Sequence, residues 1–346
     1  METKLDPVNF TKSSKSLVIN MFSQLTRRQL AVALSSTIAA PLLPAFVAEA
    51  APLSYTLKPQ EIADGVWVIE GAQEAITFEN GGAIANIVIM DSTDGAIVID
   101  TGPSRRFGEA LAALAQSLTS KPITRVYITH FHPDHAFGNQ GFDAKIIAAP
   151  EGVITGLKEM GNTFSDAMYY IARDWMRGTE IVLPTISIAK SGVEDIGGRR
   201  LRLLPLSGHT TSDLAIFDET SGTLVTGDLA FLDRAPTTPH ADFGIWRQSL
   251  SKLNDVSART TVPGHGPVEA SQRAVSQTKN WLDDVERIIS ENFEQGLDIT
   301  EAMNTPLPEN LTRLTLARYE FSRTVMHLYP KLEASRLPRV GGRAVD

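Results

Sequence analysis

The chain has 346 residues, 42% hydrophobic and 21% charged, so it can bury a sizeable core in one large domain or two modest ones. Its formal charge is −8, and nothing in an acidic balance of this kind attracts nucleic acid or an anionic membrane. With no cysteine present, disulfides, thiolate metal ligands and a cysteine nucleophile are all excluded.

A polar, lysine-bearing opening leads into LTRRQLAVALSSTIAAPLLPAFVAEAAP. Arg27 and Arg28 directly precede a mildly apolar run from Leu30 to Val47. The run is barely long enough to span a bilayer, and Pro41 and Pro44 weaken it as a permanent anchor. It ends in Ala48-Glu49-Ala50, a small-x-small cleavage pattern. These features predict a twin-arginine-like export signal over residues 1–50, cleaved near Ala50, and a periplasmic product with no stable membrane span.

Beyond the signal, apolar and β-branched runs at 66–69, 84–90, 96–99, 125–128, 145–148, 201–206, 213–217 and 223–225 suit strands buried on at least one face. Amphipathic patterns predict helices over 105–118, 165–177 and 245–256. The last third is helical in pattern, over 270–292 and about 309–329, with Gly296 marking a break. Strands followed by helices, twice, predict a layered α/β sandwich. The expected organisation is a catalytic domain over residues 51–270 and a C-terminal helical extension, 271–346, packed on it.

Three of the seven histidines, with an aspartate, fall within six residues of ITHFHPDHAFGN. Buried polar groups without partners cost free energy, so such a cluster needs something to hold it, and a metal ion is the first candidate. His130 and His132 follow the run 125–128 and share one face of an extended chain, because residues i and i+2 do. Pro133 then turns the chain and presents Asp134 and His135 from another direction. Four candidate ligands on one turn suit two ions better than one. LSGHTTSDL places His209 just past another strand, LVTGDLAF does the same for Asp228, and TVPGHGPV for His265. Each has a neighbouring glycine (Gly208, Gly227, Gly264, Gly266), which lets backbone approach a compact site.

In this order, H-x-H-x-D-H, G-H-T, T-G-D and P-G-H-G resemble the metallo-β-lactamase superfamily over roughly residues 80–270. The resemblance implies an αββα sandwich with a dinuclear site at one edge. His130, His132 and His209 would hold one metal; Asp134, His135 and His265 would hold the other, with Asp228 bridging. Imidazole and carboxylate donors suit two Zn²⁺ ions, and Fe or Mn are also compatible. THFHPDHAFGN, GTEIVLP, HTTSDL, VPGHGPV and HLYPKLE are similar to the quinoprotein relay system zinc metallohydrolases. That likeness implies a periplasmic partner, a PQQ-dependent quinoprotein dehydrogenase.

A metal-activated water supplies a nucleophile near neutral pH, so the expected activity is hydrolysis of an ester, thioester, lactone, lactam or phosphoester in a small molecule. Asp134 is expected to be a ligand that also orients the hydroxide. Asp228 is typical of glyoxalase II-like and lactonase-like members and argues against antibiotic turnover. Two alternatives are a mononuclear iron sulfur oxygenase resembling the persulfide dioxygenases, and a non-catalytic metal-binding accessory protein. His240, Phe164 and Tyr169 are candidate substrate contacts, Asp213 a candidate hydrogen-bond partner of a ligand imidazole, and His327 a packing residue.

Overall fold

A computed structural model describes residues 53–336; the expected export signal lies outside them. A meander comes first: β1 (Pro59–Ala63), β2 (Val66–Ile69), β3 (Ile87–Asp91) and β4 (Ala96–Ile99), each antiparallel to the next. Helix α1 (Arg105–Thr119) then crosses to β5 (Ile123–Tyr127), which runs parallel to β4. The short helix α2 (Pro133–Ala136) precedes β6 (Ile147–Pro150), and the long α3 (Glu151–Ala172) leads to β7 (Ile186–Ile188). These seven strands form one sheet in sequence order.

The second sheet has the order β12-β11-β10-β9-β8. Its strands are β8 (Gly192–Ile196), β9 (Arg199–Leu206), β10 (Asp213–Asp218), β11 (Thr223–Val225) and β12 (Thr260–Val262), with α4 (Phe243–Asn254) between the last two. Helices α5 (Arg273–Glu294), α6 (Ile299–Asn304), α7 (Glu309–Thr312) and α8 (Ala317–Arg336) close the described chain.

Side-chain alternation in the strands builds the layers. Val88, Met90, Ile97 and Ile99 face Leu214, Ile216, Val225 and Val262 of the other sheet. The alternate residues Ile87, Ile89, Ala96 and Val98 face α1 and α3. On the far side, Ala215, Phe217 and Leu224 meet α4, α5 and α8, including Trp246, Trp281 and Phe321. The result is helix, sheet, sheet, helix: an αββα sandwich, the class expected from the sequence. Each buried aliphatic side chain contributes about 1.5–3 kcal/mol, so the two-faced strands carry much of the stability.

Local signals explain the helices. Ser104 caps α1 by accepting from the Phe107 N–H, and Phe107, Leu111 and Ala115 recur four residues apart on its buried side. Trp281, Val285 and Ile288 make the corresponding stripe on α5. Among the described residues no helix is long and apolar enough to cross a membrane.

Candidate metal centre

All seven expected donors come together where loops leave the strands at one edge of the sandwich. The β5–α2 loop supplies His130, His132, Asp134 and His135; the β9–β10 turn supplies His209. Asp228 sits on a 3-10 turn, Gly227–Leu229, after β11, and His265 follows β12. Every one of the seven is buried. They form two groups, His130, His132, His209 and Asp228, then Asp134, His135 and His265, with donor atoms of each group within 4.8 Å of one another.

The first group converges nitrogen to nitrogen. His132 Nδ1 lies 3.1 Å from His130 Nε2 and 2.9 Å from His209 Nε2. Burial lowers the pKa of all three imidazoles well below the ordinary value, and neighbouring histidines push the same way. Neutral rings whose ring nitrogens meet cannot all be satisfied by one shared proton, whereas a cation satisfies every lone pair. Asp228 links the groups: Oδ2 is 3.2 Å from His209 Nε2, and Oδ1 is 3.1 Å from His135 Nε2 and 3.3 Å from His265 Nε2. Burial alone would raise the Asp228 pKa, but four imidazoles, His265 and His135 foremost, hold it well below the carboxylate range. Among the described residues, His135 Nε2 and Asp228 Oδ1 have no hydrogen-bond partner. Orphaned, buried and facing each other, they fit a metal ion. The chemistry of the set, imidazole and carboxylate without thiolate, fits a divalent one.

The outward nitrogens of His135 and His265 are pinned, which fixes their inward ones. His135 Nδ1 is 2.7 Å from Asp100 Oδ2, and His265 Nδ1 is 2.8 Å from the Ile84 carbonyl. Asp100 also accepts from the Thr129 N–H and hydroxyl, both at 2.8 Å, so it orders the start of the ligand loop. Asp100 is not among the residues expected from the sequence. Its signal was the position directly after β4 in IDTGP, at a strand end like those of the ligands, and its φ of 64° is rare outside glycine. Asn86 donates to the Pro263 and Gly266 carbonyls at 2.9 and 2.8 Å and holds the His265 loop. That is why β3 starts at Ile87 and not at 84: the preceding residues serve His265. Trp246 of α4 packs edge-on to His209 and donates to the Leu229 carbonyl. Gly264 is a steric requirement, since a Cβ there would lie 2.0 Å from Asp228 Oδ1.

A cavity of about 230 Å³ opens beside the donors, lined on that side by His132, Asp134, Asp228 and His265. His240 lines it too, its Nδ1 2.9 Å from His132 Nε2, so it touches the far side of a donor ring instead of lying free on the surface. Phe164, Met168 and Ile171 of α3 form an apolar wall. Tyr169 departs from the expectation: one residue on from Met168, it points about 100° around the helix, is 41% exposed and is not part of the lining. Asp213 accepts from Thr210 N–H and hydroxyl groups and not from a ligand imidazole. His327 is exposed on α8, where packing was expected.

The model of the metallo-beta-lactamase superfamily matches residues 80–265, more than half the chain. The chain belongs to the metallo-beta-lactamase superfamily. Among its relatives, a linear primary-alkylsulfatase of Pseudomonas sp. (strain ATCC 19151) is 22% identical over 302 residues, covering 75% of this chain and 57% of that one. The chain thus spans little more than half the length of that relative. An acyl-coenzyme A thioesterase of Bos taurus is 22% identical over 248 residues, covering 64% of this chain and 86% of the other. A metallo-beta-lactamase from Pontibacter korlensis superposes with a TM-score of 0.54 at 21% identity, over 66% of this chain and all of that one. At that identity the superfamily structure supports the fold alone.

Proposed function

We propose that the chain is an exported, dinuclear zinc hydrolase that cleaves an ester, thioester, lactone, lactam or phosphoester of a small molecule in the periplasm. The observation that carries the dinuclear reading is Asp228, whose two oxygens face two different donor groups. Relatives named for sulfate-ester and thioester hydrolysis support a bond of the ester kind. Arg27, Arg28 and the Ala48-Glu49-Ala50 pattern support export. The segments shared with the quinoprotein relay system metallohydrolases support service beside a PQQ-dependent dehydrogenase.

Residues His130, His132 and His209 would hold one ion, Asp134, His135 and His265 the other, and Asp228 both. Such ions, when bound, supply a nucleophile from water at neutral pH and polarise the oxygen of the scissile bond. The chain's own residues do the rest. Asp134 reaches the cavity as well as the donor cluster, so its carboxylate is placed to accept a proton and orient the attacking group. Phe164, Met168 and Ile171 cover the approach with apolar surface and limit water at the reacting bond. His240, against His132, fixes that ring's tautomer from the cavity side. The open cavity distinguishes this arrangement from a closed structural site, which needs four protein ligands and no access.

Elemental analysis of the mature protein, purified from its native periplasm without added metal, tests the reading. Two zinc ions per chain are expected, with turnover in a panel of ester, thioester, lactone and phosphoester substrates. One iron per chain would overturn it.

A further inference from the structure

Arg234 lines the same cavity as the donors, yet only 3% of it is exposed. Among the described residues its Nε and Nη1 have no hydrogen-bond partner. Burying a guanidinium without a partner is unfavourable, so it needs an explanation. The carboxylate that acts most strongly on it, Glu320, is already engaged: it accepts from Arg323 Nη1 at 3.1 and 3.2 Å and from the Thr237 hydroxyl at 2.9 Å. Burial lowers the Arg234 pKa, and Glu320, then Asp228 and Asp134, oppose that. Once cations occupy the donor cluster, Asp228 and Asp134 are neutralised. With those charges neutralised, Glu320 would be the remaining carboxylate beside Arg234 and Arg323 among the described residues of the lining.

The backbone around Arg234 is held firmly. Thr315 donates to the Asp233 carbonyl at 3.0 Å and accepts from the Ala235 N–H at 2.9 Å, bracketing Arg234 from both sides. A side chain carried on a fixed backbone, charged and unpaired inside a cavity, is built to meet an acceptor that arrives from outside. The same cavity is lined by Ile76, Phe164 and Met168, which offer an apolar surface.

We infer that the cavity takes a small-molecule substrate with an apolar body and an oxyanion group apart from the scissile bond, and that Arg234 seats this oxyanion. The scissile bond rests on the hydrolase reading above; the anion seat does not. Arg234 is thus a specificity residue of the cavity, outside the set of metal donors.

The test uses the zinc-loaded mature chain. Hydrolysis of 4-nitrophenyl hydrogen glutarate is compared with that of its neutral analogue, 4-nitrophenyl pentanoate, for the wild type and Arg234→Met. Calorimetry then follows binding of glutarate, methylphosphonate and methanesulfonate, none of which has a bond of the kinds proposed for cleavage. The charged-over-neutral ratio of kcat/KM is expected to fall at least tenfold in the variant, chiefly through KM. At least one of the three anions should bind the wild type tenfold more tightly than Arg234→Met, and the tightest identifies the oxyanion. An unchanged ratio with equal anion binding overturns the inference and leaves the hydrolase reading standing. If neither ester is cleaved by the wild type, the ester reading fails, and calorimetry alone decides the anion seat. Should Arg234→Met not fold, Arg234→Lys keeps the charge and loses the planar donors. It is expected to weaken anion binding three- to tenfold, and no change there overturns the inference equally.

Discussion

Asp100→Asn probes how the second donor group is oriented. Asp100 Oδ1 accepts from the Thr129 N–H, and Oδ2 accepts from the Thr129 hydroxyl and faces His135 Nδ1 at 2.7 Å. Both carboxylate oxygens therefore meet donors. An asparagine offers one oxygen and one NH₂ group, so whichever way it turns, an N–H is set against a donor. If the amide faces His135, the ring loses the contact that fixes its tautomer; if it faces Thr129, the ligand loop loses its anchor. Loss of such an outer partner typically lowers metal affinity ~10–100-fold, about 1.4–2.7 kcal/mol. The cost should fall first on the group Asp134, His135 and His265, because Asp100 meets His135 directly, whereas it reaches His130 only through the Thr129 hydroxyl, 3.0 Å from His130 Nδ1. Dialysis of wild type and variant against graded chelator, followed by elemental analysis, reads this out. The variant should lose its first equivalent of metal at ~10–100-fold lower chelator activity and its second near the wild-type value. Equal retention, or loss of both equivalents in a single step, would refute the orienting role.

Gly264→Ala should abolish metal retention and cost about 1–3 kcal/mol in urea denaturation, since its Cβ would sit 2.0 Å from Asp228 Oδ1 and 2.7 Å from the Gly227 carbonyl carbon. Ile97→Ala, at a fully buried position between the sheets, should cost about 2–5 kcal/mol by the same measurement, and a loss under about 1 kcal/mol would count against the two-sheet core. Burial raises the Tyr55 pKa from 10.0 to about 12. The wild-type minus Tyr55→Phe absorbance difference at the phenolate band should therefore titrate near the raised value. Because the folded pKa exceeds the unfolded one, this group's stabilisation, about 2–3 kcal/mol, is complete below pH 10 and is lost as pH rises through about 12; a difference midpoint near 10 would contradict that burial.

The layered fold was legible because period-two alternation survives in the buried strands, as in Ile87 to Met90, where successive residues belong to different cores. Less visible was α3. The sequence suggested a helix from 165, but it starts at Glu151, because Gly152, Gly156 and Gly161 obscure the pattern. A Cβ on Gly156 would lie 2.4 Å from the Phe131 ring and one on Gly152 would lie 2.5 Å from Ser212 Cβ. The glycines that weaken the local signal allow the helix to lie close against the ligand loops. The single helix expected over 309–329 breaks at Leu316, whose φ is 61°, and the break frees Thr315 to pair with the segment carrying Arg234. Strands β1 and β8 carry little apolar alternation, so only their pairing reveals them.

The donors were legible because they follow strand ends, His209, Asp228 and His265 each beside a glycine, and chemistry restricts which residue types serve. Asp100 and His240 act through space, His240 on a ring 108 residues away, and no local pattern announces such a contact. Tyr169 and Ile171 differ by helical phase alone, which a composition-based reading of the aromatic stretch does not resolve.

Tyr319, Glu320 and Arg323 of the last helix help line the cavity, although every donor lies between residues 130 and 265. Part of the cavity wall is therefore written in a different stretch of the chain from the donors. A change in the tail alters that part of the wall without touching the donor set, and on the hydrolase proposal a tail graft from another superfamily member would shift preference and leave the donors in place. Diversification among such proteins has a low-risk route: vary the last helix, keep the loops.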